Sequence, residues 1–148
     1  DYDITPHFTA EEGREMIESG VMEIQSHTYD LHQWADYEES GTARDTVLRI
    51  EGESESDYMT MMNEDCARER ETIEKGMGGT VHAISYPHGD YDDLAAVMMS
   101  ENGFDMSFTV NKGINVLIKG IDQSMLALKR NNADMQTTDE QLLTSVSR

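Results

Sequence analysis

The alternation of apolar and polar positions along the chain predicts helices and strands in turn. A helix is expected over residues 10–19, because Thr9 and Glu12 are spaced as in a capping box. Apolar and polar residues then alternate over 21–25, which predicts a strand. Further elements are expected as a helix at 57–75, a strand at 81–86, a helix at 91–101, a strand at 106–110 and a helix from 138. This order indicates an α/β fold with mainly parallel strands.

Polar loops follow two of the predicted strands directly. His27 comes just after the first strand, and Pro87 and His88 follow the strand at 81–86. Active sites in folds of this class lie at the carboxyl ends of the strands, so functional residues are expected in these loops. The polar stretch at 36–56 predicts a surface insertion within a single domain that spans 1–148.

Composition narrows the choice of partners. The chain has 148 residues and a net charge of -19, with 30 acidic and 11 basic side chains. Nucleic acids and anionic membranes are poor partners for such a surface, because binding phosphate requires Lys and Arg. The acidity indicates a well-solvated surface or a preference for neutral or cationic ligands. Cys66 is the single cysteine, which excludes an internal disulfide and a Cys-rich zinc site. No apolar run is long enough for a membrane span, and no signal peptide is visible.

His27 and His32 are the first candidate pair, because imidazole is a common ligand for zinc and related metals. Five residues apart, they would point to opposite faces of a straight strand. They can share a metal only if the chain bends between them, as it does where a strand passes into a turn. Asp30 could then fix a histidine tautomer. The alternative is two unrelated loop histidines.

A second candidate segment is ISYPHGDY at 84–91. Its proline removes one backbone amide and Gly89 permits a tight turn, so the amide of His88 could face a developing oxyanion. Taken by itself, the segment is also explained as an ordinary turn at a strand end.

Together and in this order, the two segments resemble a known family. SHTYDLH at 26–32 resembles the second motif, His-Ser/Thr-x-x-x-His, of the polysaccharide deacetylases with NodB homology (carbohydrate esterase family 4), and 84–91 resembles their third motif. The sequence of the first segment is most similar to that of the branch that acts on poly-β-1,6-N-acetylglucosamine. The resemblance covers about 8–130. It implies a bacterial, secreted hydrolase with a distorted (β/α) barrel that acts at the cell surface on N-acetylated polysaccharide.

The resemblance also implies roles for single residues. His27 and His32 would bind a divalent metal, most simply Zn²⁺, with Thr28 and Asp30 supporting them. The backbone amide of His88 would stabilise the oxyanion, and Arg130 would stand where the family has an arginine that orients the base. Tyr86 and Pro87 would contact substrate. Trp34 would either stack on a sugar ring or pack in the core.

The chain also departs from the family pattern. The first motif, Thr-Phe-Asp-Asp-Gly, supplies the base and a third metal ligand in the family, and it is absent here; no histidine after His88 matches the closing motif. We therefore expect a partial barrel without its N-terminal strand, inactive as it stands, with exposed strand edges that could pair in a homodimer. The other hypotheses are a non-catalytic glycan-binding or interaction module of the same fold and an acidic α/β domain with coincidental motifs.

Overall fold

Helices and short strands alternate along the structure, a computed structural model that describes residues 7–34 and 43–147. The four helices of this part are α1 (Ala10–Glu18), α2 (Glu55–Arg70), α3 (Asp93–Glu101) and α4 (Asp139–Val146). The strands are β1 (Ala83–Ser85) and β2 (Met106–Phe108). A π-helical turn (Glu71–Lys75) continues α2, and short 3-10 turns occupy Pro87–Gly89 and Asp122–Met125. The predicted α/β class is confirmed.

The sheet is parallel and its neighbours follow one another in chain order. Strands β1 and β2 pair with Ile84 opposite Ser107. Single parallel bridges extend the sheet on both sides, from Ser26 to Ile84 and from Phe108 to Leu128. Four consecutive segments thus lie side by side in one direction, as they do in the wall of a (β/α) barrel. The expected partial, distorted barrel is confirmed.

The helices begin where their capping residues predict. Thr9 and Glu12 form a complete capping box at the start of α1, and Thr138 and Gln141 form another at the start of α4. Each box satisfies amides at a helix start that have no partner within the helix. These local signals explain why the predicted helices agree closely with the observed ones.

The predicted strand at 21–25 is wrong. The side chain of Gln25 occupies the place of a strand ladder, because its Oε1 accepts the amides of His82 and Ala83 at 3.0 Å each. Its Nε2 donates to the carbonyl of Thr80 at 3.0 Å. Backbone pairing begins only at Ser26, whose amide donates to the carbonyl of Ala83. Val21 and Met22 stay exposed, at 83% and 52%, whereas Ile24 is partly buried against the core.

The core lies between the sheet and helices α2 and α3. The stripe predicted on α2 from Tyr58 through Met62 and Cys66 to Ile73 is buried. It packs in one cluster with the strand residue Ile84, with Met98 and Met99 of α3, and with Phe104. The parallel segments therefore stand on a fixed layer, and their carboxyl ends are held in place.

The segment after residue 42 is held against α2 by one side chain. Val47 is fully buried, and its carbonyl accepts the hydroxyl of Tyr58 at 2.7 Å. Arg44 is also buried and forms an ion pair with Glu53. The surface insertion at 36–56 stays a prediction, and residues 36–42 lie outside the described part.

Candidate functional site

The loop after Ser26 is held from below by two carboxylates of α2. The hydroxyl of Ser26 donates to Glu69 Oε2 at 2.6 Å. The two oxygens of Asp65 accept the backbone amides of Tyr29 at 3.0 Å and Asp30 at 2.8 Å. Both carboxylates are buried. Burial raises the pKa of each carboxyl, and the hydrogen bonds that each accepts offset part of this rise.

The bend between the two motif histidines is observed. Thr28 has a φ of 75°, in the left-handed region, and its hydroxyl accepts the amide of Leu31 at 3.2 Å. This turn brings the ring centroids of His27 and His32 to 5.4 Å. The structure therefore places both imidazoles at the carboxyl end of the segment that pairs with β1, on one side of the sheet.

Each of these histidines has one ring nitrogen held by an acceptor. His27 Nδ1 lies 2.6 Å from the carbonyl oxygen of Ser85. His32 Nδ1 lies 2.7 Å from Asp45 Oδ1. A carbonyl can only accept, so the Nδ1 of His27 carries the proton and its Nε2 keeps a lone pair. Backbone carbonyls hold the outer nitrogen of metal-binding histidines as the Ser85 carbonyl holds that of His27.

His88 joins them from the end of the neighbouring strand. Its ring centroid lies 4.6 Å from that of His32, and its Nε2 lies 3.1 Å from Asp45 Oδ2. The backbone at His88 is left-handed, with a φ of 54°. Gly89 follows in the same region, and a Cβ there would meet the amide nitrogen of Val110 at 2.6 Å. This close approach keeps the loop against the chain that leaves β2.

Asp45 is the residue that connects the two imidazoles. Hydrogen bonds from His32 and then His88 hold the pKa of its carboxyl below the usual range. One donor atom each from His32, Asp45 and His88 lies within 4.8 Å of the others. Two imidazoles and a carboxylate suit zinc and related metals, so the residues fit a divalent cation.

Thr28 and Asp30 are expected to support the two histidines, and these roles stay predictions. The ring nitrogens of His27 and His32 that have an acceptor contact the Ser85 carbonyl and Asp45. Asp30 instead donates its backbone amide to Asp65. Thr28 acts through the turn that it forms. The amide of His88 donates to no protein atom of the described residues, so it is available to an external acceptor.

The residues that are expected to contact substrate or the catalytic base differ in how exposed they are. Core packing of Trp34 is wrong, because its side chain is 72% exposed beside an open cleft of about 370 Å³ with His32 and Asp45 in its lining. Tyr86 and Pro87 are buried beneath the loop, and Tyr86 stacks on Tyr91 with 5.1 Å between the ring centroids. Arg130 donates from Nε to the carbonyl of Thr109 at 2.7 Å. Their contacts with substrate or base stay predictions.

Sequence reasoning missed Asp45. It is one of 30 acidic residues and lies in the stretch assigned to a surface insertion. The backbone of residues 33 and 44 pairs through the amide of Gln33 and the carbonyl of Arg44 at 2.9 Å. That contact brings Asp45 beside His32. No local pattern in the sequence predicts this contact.

Comparisons with known proteins agree on one family. A family model described as polysaccharide deacetylase matches residues 4–107. The solved structure of a de-N-acetylase from Aggregatibacter actinomycetemcomitans is similar, with a TM-score of 0.74 and 24% identity over 94% of this chain and 53% of that chain. No curated protein sequence matches.

Two further solved structures share the fold. They are the BpsB deacetylase domain from Bordetella bronchiseptica, with a TM-score of 0.57 and 24% identity over 72% of this chain and 43% of that chain, and IcaB from Ammonifex degensii, with a TM-score of 0.54 and 25% identity over 70% of this chain and 40% of that chain. The chain spans about half the length of these structures, or less.

Proposed function

This chain belongs to the polysaccharide deacetylase family, and from that premise we propose that it is part of a metal-dependent hydrolase. The reaction removes N-acetyl groups from an N-acetylglucosamine-containing polysaccharide at the cell surface. The observation that carries the proposal is the pair His27 and His32, whose rings meet at one strand end with 5.4 Å between their centroids.

The residues divide the chemistry among them. His27 and His32 hold the divalent metal, most simply Zn²⁺. When bound, such a metal polarises the carbonyl and makes water a better nucleophile at neutral pH. The backbone amide of His88, which donates to no protein atom of the described residues, would donate to the oxygen of the acetamide, where negative charge develops. Trp34 offers its exposed face to a sugar ring beside the cleft.

The base and a further carboxylate of the family belong to the first motif, which is absent from the sequence. We therefore propose the activity for a protein in which that motif is supplied, and no turnover for residues 1–148 alone. Arg130, which emerges from the end of the sheet beyond β2, is proposed to orient that base. A homodimer through strand edges is likewise a proposal.

A second candidate function is a glycan-binding module of the same fold without catalysis. The exposed Trp34 favours it, because an aromatic side chain open to solvent at a cleft is typical of sugar recognition. Binding to an N-acetylglucosamine oligosaccharide that is unchanged by a chelator would support this function over the first.

The test of the first function is a calorimetric titration of Zn²⁺ into metal-free protein. We expect binding in the wild type and its loss in both His27→Ala and His32→Ala, because each variant removes one imidazole donor. If both variants bind zinc as the wild type does, the proposed metal site is wrong. Among residues 7–34 and 43–147, no helix has the length and apolar character needed to cross a bilayer.

A further inference from the structure

We infer that Asp45 and the imidazole of His88 are metal ligands, and that they hold a divalent transition-metal cation together with His32. The inference rests on the proposed function and adds ligands that the family resemblance does not assign. The resemblance gives His88 only a backbone role and gives Asp45 none.

The distances between donor atoms favour a shared cation. Ligands of one zinc ion lie about 2.0–2.2 Å from it, so that their donor atoms are about 3.3 Å apart in a tetrahedral site. Asp45 contacts His32 Nδ1 at 2.7 Å and His88 Nε2 at 3.1 Å, and the three residues each offer a donor within 4.8 Å of the others. Changes of a few tenths of an ångström to about 1.5 Å in side-chain position would admit the ion.

Two hydrogen bonds and one buried side chain position the backbone that carries His32 and Asp45 before any ion binds. The amide of Gln33 donates to the carbonyl of Arg44 at 2.9 Å, and the amide of Arg44 donates to Gln33 Oε1 at 2.7 Å. These two bonds join the neighbours of His32 and Asp45. The buried Val47 holds the same segment on α2. A site whose ligands are already in place loses little conformational freedom when it binds.

His88 is held by its backbone in a conformation that few side chains adopt. Its φ of 54° lies in the left-handed region, where a residue other than Gly is uncommon and costs energy. This conformation turns the ring toward Asp45 and His32, where it makes its contact with the carboxylate. Such outliers cluster at binding sites, which agrees with a ligand role for the ring.

The donor set and its exposure limit what can bind. Two nitrogen donors and one carboxylate suit zinc, cobalt, nickel or iron better than calcium or magnesium, which take oxygen ligands. The side chains of His32, Asp45 and His88 remain 34%, 56% and 49% exposed. At this exposure, a cation held by these three residues stays accessible to water or substrate, whether or not His27 also binds it.

The experiment measures the Zn²⁺ affinity of the whole chain by calorimetry in four variants. Asp45→Asn removes the anionic donor, and His88→Asn removes the imidazole with a residue that tolerates left-handed backbone. His27→Ala tests the proposed function separately. Asp105→Asn is the matched control, because it removes an equal charge from an exposed side chain at the opposite, amino end of β2. Thermal unfolding without metal shows that each variant is folded.

We expect Asp45→Asn and His88→Asn to weaken zinc binding by more than about 100-fold, which is beyond the effect usual for a residue that only orients a ligand. Asp105→Asn should bind as the wild type does. X-ray absorption of the zinc complex should count one imidazole fewer in His88→Asn. This readout separates a ligand from a residue that acts through its neighbour.

Each other outcome decides between the two proposals. If His27→Ala abolishes binding while Asp45→Asn and His88→Asn stay within about threefold of the wild type, the further inference is overturned and the proposed function stands. If only the latter two lose binding, the inference stands and the ligand role of His27 falls. A wild type that binds no zinc overturns both.

Discussion

Three carboxylates surround the histidine loop, and burial separates them into two kinds. Asp65 and Glu69 lie under the loop on α2, are nearly inaccessible, and accept hydrogen bonds from backbone amides or a hydroxyl. Asp45 lies above the loop, is exposed, and contacts only ring nitrogens of His32 and His88 among the described residues. We call Asp65 and Glu69 the anchor pair.

This difference in burial indicates that Asp65 and Glu69 hold the loop, whereas Asp45 is open to a ligand. Burial raises the pKa of both carboxyls of the anchor pair, whereas hydrogen bonds from the histidines lower that of Asp45. A carboxylate that already satisfies buried amides cannot leave them without cost, so the anchor pair serves the loop. Asp45 satisfies no buried amide, so binding a cation together with the two imidazoles, as we propose, would not cost the loop its anchors.

The largest expected effect is that of Asp65→Ala on stability. It leaves the amides of Tyr29 and Asp30 without their acceptor, which should lower the free energy of unfolding by about 2–4 kcal/mol. Urea unfolding measures this change. Asp45→Ala should leave the midpoint unchanged in the absence of metal, because its contacts are at the surface. Equal shifts in the two variants would remove the distinction between the carboxylates.

In the presence of zinc, a change at Asp45 should also lower the unfolding free energy relative to the wild type. At a free concentration of about 100 times the dissociation constant, zinc should stabilise the wild type by about 2.7 kcal/mol, because only the folded state holds the ligands together. A chelator should remove the gain. Asp45→Asn should show no gain at the same zinc concentration, and a full gain in that variant would show that Asp45 is not needed.

Tyr58→Phe tests how the segment that carries Asp45 is held. The change deletes the hydroxyl that donates to the buried carbonyl of Val47 and should cost about 1–2 kcal/mol of unfolding free energy. The phenyl ring keeps the packing, so a larger loss would indicate a rearranged core. An unchanged unfolding midpoint would mean that this hydrogen bond does not hold the segment.

The smallest effect concerns pH. Because the pKa of Glu69 is raised, the folded state holds its proton more tightly than the unfolded chain does. Its contribution to stability is full below the ordinary pKa of 4.5 and is lost as the pH rises through the folded pKa. Glu69→Gln cannot titrate, so the unfolding free energy of the wild type relative to this variant should fall as the pH rises above 4.5 and through the raised pKa of Glu69. A difference that grows with pH would contradict the buried, raised carboxyl.

The helices and the histidine pair could be predicted because their signals are local. Capping boxes fix the starts of α1 and α4. The spacing of His27 and His32 together with the family motif predicted the loop in which the structure brings the two rings together. The strand at 21–25 failed because a glutamine side chain can satisfy backbone amides as a strand partner would. Asp45 was missed because its place depends on a contact between Gln33 and Arg44 that exists only after folding.

The left-handed backbone at His88 also limits which residues evolution or a designer can place there. Gly, Asn, Asp and His tolerate this conformation more readily than other residues do, whereas β-branched side chains are strongly disfavoured. Among these four residue types, histidine is the one whose side chain has a nitrogen that transition metals favour. A library at this position should therefore be enriched in these four residues among its most stable members.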